Sequence, residues 1–153
     1  MATVEVAFTP LPAHVRTARL VATAVARRSG VDEALLDEVC LAVGEACSRA
    51  VEAHRRHCPA EPVRIEMTDL GERFVVVVRD SAPGAAGTQA AEASAQSAAA
   101  NGASVPSSAG DDGAIPAGFG LAVISGLADD VRVSSTSSGV SVQMSWPSAA
   151  ATA

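Results

Sequence analysis

The chain opens on an alternation: Val4, Val6 and Phe8 are apolar and separated by single residues, so TVEVAF predicts a first strand. Pro10 and Pro12 interrupt it. From His14 to Ser29 the period lengthens, with Ala18, Val21, Ala22 and Val25 on one face of a predicted helix. Arg27 and Arg28 suit its last turn, and Gly30 suits its stop. Asp32 follows as an N-cap, with Val31 and Leu36 placed as a hydrophobic staple. The second helix carries Leu35, Leu36, Val39, Ala42, Val43, Ala46, Cys47, Ala50 and Val51 at three-to-four spacing, and is expected to run to about Arg56. Its other face carries Glu38, Glu45, Ser48, Arg49, Glu52 and Arg56.

Period two returns at Val63, Ile65 and Met67, and a turn at Asp69–Glu72 leads into RFVVVVRD. The run Val75–Val78 is apolar on both faces, which predicts a central strand. Gly84 to Ala117 is nearly all Ala, Ser and Gly and carries too little apolar surface to offset its ordering entropy, so it is expected to be a flexible lid or insertion. GFGLAVISGLA reads as a glycine-led turn into a short helix. DVRVSS and GVSVQMSW read as two more strands, turning at Ser138-Gly139. The expectation is one α+β domain over 1–147. It is a two-layer sandwich with a mixed, mostly antiparallel sheet covered on one face by helices, followed by a disordered tail at 148–153.

Composition narrows the function. The chain has 153 residues, 48% of them hydrophobic but only 3% aromatic, so its core must come from aliphatic side chains. A formal charge of -6 argues against a general phosphate-backbone binder, which would need a basic face, so no direct nucleic-acid binding is expected. No apolar run is long enough for a membrane span, and the first residues do not resemble a signal peptide. Three cysteines, an odd number, suggest no disulfide framework; Cys40 and Cys47 on one helix lie about 10 Å apart, too far to bridge. A cytoplasmic setting is expected. His54, His57 and Cys58 cluster at a helix end, where the histidines complement the helix C-terminus; no metal site is expected.

Three places carry candidate chemistry. Glu45 and Arg49 stand four apart, in the favourable order for a surface ion pair worth about 0.2–0.5 kcal/mol, and Glu52 with Arg56 repeats that spacing. Asp80 follows the central strand and opens RDSAPG, where an aspartate commonly forms a turn. Gly118 and Gly120 permit close backbone approach at a helix N-terminus, whose amides favour phosphate.

In order along the chain, LAVGEACSRAVEAH, VVVVRDSAPG and GFGLAVISGLADDV resemble the N box and two glycine boxes of the histidine-kinase-like ATPase fold. Within it, with the opening PAHVRTARLVA, the chain resembles the small anti-sigma factors that are also serine-protein kinases (the RsbW/SpoIIAB type). The resemblance implies that Glu45 is the general base for a substrate serine and that Asp80 accepts from the adenine amino group. It implies that Gly84, Gly118, Gly120 and Leu121 line the nucleotide, and that Arg16, with Arg19 beside it, contacts partner proteins. Such proteins bind a sigma factor and a STAS-type anti-anti-sigma protein, and usually form homodimers.

The chain departs from the family's pattern at Arg49, which stands where an asparagine ligates magnesium. Ala82 replaces a glycine and Phe119 a basic or polar residue. A guanidinium has no acceptor and cannot hold a cation, so magnesium is doubtful even where ATP binds. Arg49 either neutralises phosphate directly or pairs within the chain and fills the site. Two functions stay open: an active serine-protein kinase with Glu45 as base, or a protein-binding regulator with a degenerate ATP site. The loss of the metal ligand favours the second.

Overall fold

A computed structural model describes residues 2–82 and 123–149 of the chain. Its elements are β1 (Ala2–Phe8), α1 (Pro12–Arg28), α2 (Leu36–His57), β2 (Val63–Asp69), β3 (Arg73–Asp80), β4 (Asp130–Thr136) and β5 (Gly139–Pro147). The five strands form one sheet in the order β1-β2-β3-β5-β4, and every pairing is antiparallel. The chain is thus an α+β sandwich, with α1 and α2 as the second layer.

The position of β3 follows from its valines. Val76 and Val78 are buried beneath α2, while Val75 and Val77 are half-buried on the opposite face. Only an interior strand gives both rows partial cover. Cross-strand neighbours continue the inner face: Ile65 lies opposite Val78, Met67 opposite Val76, and Phe74 opposite Trp146. The Phe74 and Trp146 rings sit 6.5 Å apart between centroids. Each large side chain buried here contributes about 1.5–3 kcal/mol. α2 lays Val39, Val43, Ala46, Cys47, Ala50 and Val51 onto this surface, as its periodicity predicts. α1 packs beside α2 with Val15, Ala18, Ala22 and Ala26 buried, and these small side chains let the two axes approach closely.

Local starts and stops differ in detail from the sequence expectation. Pro12 does not precede α1 but begins it; its fixed φ suits the first turn, where its missing N–H has no partner to lose. Asp32 does act as a cap, its Oδ1 accepting from the Ala34 amide at 2.9 Å, but it caps a 3-10 turn at Glu33–Leu35 that feeds α2. Ser148 and Ala149, expected in the tail, are tied down: the Ser148 amide donates to Glu72 O and the Ala149 amide to Gly30 O, each at 2.9 Å. Gly30, at φ +88, has no room for a Cβ, which would stand 2.6 Å from Ala149 O.

Where the description resumes, residues 123–127 are helical. Ile124 plugs this segment into the core at 0% exposure, and the Trp146 indole N–H donates to Leu127 O at 3.1 Å. No helix among the described residues is long and apolar enough to cross a membrane.

Candidate functional site

The C-terminal half of α2 meets the exit of β3 at Asp80. As the last residue of a central strand, Asp80 is enclosed by α2 above and β5 beside it, and its side chain is only 1% exposed. A buried carboxylate needs partners for its lone pairs. Asp80 Oδ1 accepts from the Ala82 amide at 3.1 Å and the Val140 amide at 3.3 Å. The first of these is the Asx turn that the sequence suggested. Asp80 Oδ2 accepts from Arg49 Nη1 at 3.0 Å, closing an ion pair whose arginine side chain is 14% exposed.

Arg49 therefore does not pair with Glu45, the partner its helical spacing offered. The next pair along the helix behaves as expected: Arg56 Nε donates to Glu52 Oε1 at 3.1 Å on an exposed surface. Arg49 differs because its direction on α2 points it at the strand end, where an uncompensated buried carboxylate attracts it more strongly than a hydrated glutamate. Glu45, half-buried one turn earlier, pairs with no cation among the described residues.

A second α2 side chain braces the same turn, and sequence reasoning missed its role. His54 does stand in the last turn of α2, but it is fully buried and serves a contact that the helix end alone did not suggest. Its Nε2 accepts from the Ser81 amide at 2.8 Å, and its Nδ1 lies 2.8 Å from Glu61 O. An amide can only donate and a carbonyl can only accept, so the ring carries its proton on Nδ1. Its register was the available signal: His54 continues the stripe of Cys47, Ala50 and Val51 at helical spacing. β5 closes the turn from the other side. Gly139 adopts φ +149, and a Cβ there would stand 2.0 Å from Asp80 O.

The thiols nearby are quiet. Burial pushes Cys47 up to about 12, partly opposed by the Arg19 guanidinium. Cys58 is also raised, by burial first and then by Glu61 and Asp80. Among the described residues no cluster of acidic, histidine or cysteine side chains is placed to hold a metal ion.

Of the other candidates, Arg16 is exposed on α1. Arg19 lies across α2 at Gly44, where a Cβ would meet its Nε at 2.0 Å, and that Nε is buried without a partner among the described residues. Gly84, Gly118, Gly120, Leu121 and the segment from 84 to 117 lie outside the described residues. The structure thus brings Arg49 and Asp80 together, leaves Glu45 beside them, and keeps Arg16 and Arg19 on the neighbouring helix.

The profile of the histidine kinase-like ATPase domain matches residues 8–146. Among solved structures, the chain resembles the crystal structure of the RsbU and RsbW domains of a Mycobacterium tuberculosis protein, with a TM-score of 0.60 and 15% identity. The likeness covers 99% of this chain but 35% of that one, so this chain spans about a third of its length. No curated protein sequence matches significantly.

Proposed function

The chain belongs to the histidine kinase-like ATPase domain family, and on that premise we propose that it is a partner-binding regulator of the anti-sigma type whose ATP site is degenerate. Membership makes ATP the ligand to test. The observation that carries the reading is the Arg49–Asp80 pair at 3.0 Å. In the resemblance, Asp80 reads adenine and position 49 holds magnesium. Here one side chain replaces the metal ligand and occupies the carboxylate, so the described residues do not fit a magnesium nucleotide.

On this reading the work of the protein lies on its surfaces. Its partners are a sigma factor, a STAS-type anti-anti-sigma protein, or both. Arg16 and Arg19 on α1 would meet an acidic segment of the partner, and the exposed Leu20 and Leu41 add apolar contact area on the same helical layer. A homodimer is supported by β1, the edge strand of the sheet among the described residues, and by the adjoining cleft of about 460 Å³, lined by Val6, Phe8, His14, Thr17 and Val21. Such a regulator acts in the cytoplasm.

One observation favours the alternative, a serine-protein kinase. The Glu45 carboxylate stands half-buried and unpaired among the described residues, as a base would. Two measurements decide. The regulator reading predicts that the protein captures a sigma factor or antagonist from its native lysate without nucleotide. Transfer of labelled phosphate from ATP to that antagonist would overturn the degenerate-site reading in favour of the kinase.

A further inference from the structure

We infer that Arg49 serves as a built-in ligand for Asp80, holding the exit of β3 in one geometry whether or not a nucleotide is present. This rests on the degenerate-site reading and adds the regulation of that site: partner binding is uncoupled from nucleotide.

Among the described residues Asp80 accepts three hydrogen bonds, from the Ala82 amide, the Val140 amide and the Arg49 guanidinium. Oδ2 keeps one further acceptor site, but the carboxylate is 1% exposed, and a ligand offering a neutral N–H to it must compete with the charged donor already seated there. A charge-assisted bond is roughly twice as strong as a neutral one, so that exchange is unfavourable. The residues that follow are held from α2, from Asp80 itself and from β5. His54 takes the Ser81 amide, Asp80 takes the Ala82 amide, and Gly139 abuts the Asp80 carbonyl. The start of the segment beyond β3 is therefore tied to α2 through two side chains, Arg49 and His54. A site whose ordering depends on ligand leaves such groups unpaired until the ligand arrives; this one does not.

Amide hydrogen exchange on the intact chain tests this at Ser81, Ala82 and Val140. In the wild-type protein, millimolar ATP with magnesium is expected to leave the protection of these amides unchanged. In Arg49→Gln, which keeps the length and loses the charge, their protection should fall about tenfold further than that of Met67 and Val142, which report the global loss of stability. Arg49→Lys, which restores a charged donor, should recover part of the loss. Protection in Arg49→Gln that falls no further than that of Met67 and Val142, or a tenfold gain in the wild type on adding ATP with magnesium, would overturn the inference. The readout needs no partner, so failure to capture a sigma factor or antagonist counts against the regulator reading alone. If a partner is captured, affinity that changes with ATP in the wild type also overturns the uncoupling.

Discussion

Arg49 and Asp80, 31 residues apart in sequence, meet at 3.0 Å where α2 crosses the end of β3. Glu45, one helical turn from Arg49, takes no part. The pair is largely shielded from water, and this sets its energetic consequences apart from those of every exposed pair on the molecule.

Arg49→Ala leaves the Asp80 carboxylate buried without its counter-ion and should cost about 3–5 kcal/mol of stability. Arg56→Ala, which breaks an exposed pair with Glu52, should stay within about 0.5 kcal/mol. Urea denaturation of both variants checks the contrast. A double-mutant cycle with Asp80→Asn should return a coupling of about 0.5–3 kcal/mol.

Arg49→Asn removes the guanidinium and supplies an amide oxygen that can accept a cation. It is expected to gain magnesium-dependent ATP binding that the wild type lacks, measured by titration calorimetry with and without the metal. A null result in both proteins would move the obstruction to Ala82 or the segment beyond it.

Gly139→Ala must place a methyl group against Asp80 O at a φ of +149 and should destabilise by about 2–5 kcal/mol. Gly71 also has a positive φ, +90, but its chain neighbours aside, no atom of the described residues lies within 4 Å of its would-be Cβ. Gly71→Ala should therefore cost only the backbone strain, about 1–2 kcal/mol. Thermal melts of the two variants separate crowding from strain.

Cys47 gives an alkaline signature. Its thiol stays protonated in the fold up to about 12, against 9.0 for an unperturbed thiol. Above 9 the unfolded chain therefore binds fewer protons than the folded one. The stabilisation is fully present below 9 and lost as pH rises towards 12, at about 1.4 kcal/mol per unit. The chain has no tyrosine, and all 11 of its basic residues are arginine, so few other groups titrate there. Urea midpoints at about pH 8 and about pH 10 should differ markedly in the wild type and less in Cys47→Ala.

The sequence by itself determined the layers. The period-two runs ending in Phe8, Met67 and Trp146, and the three-to-four stripe from Leu35 to Val51, each name an element and its buried face. Burial of apolar area is a local property that repeats with the backbone period. β3 was legible as central because only an interior strand has valines covered on both faces. The tertiary structure decided the polar contacts. Glu45 and Arg49 have the spacing of a pair, yet Arg49 turns to Asp80; His54 looked like a helix-end charge, yet it is buried and holds Ser81. Both outcomes depend on where β3 ends against α2, a relation between residues 31 and 27 positions apart that no periodicity records. A buried carboxylate takes whatever donor the fold brings to it, because leaving it unpaired costs more than any surface pair returns.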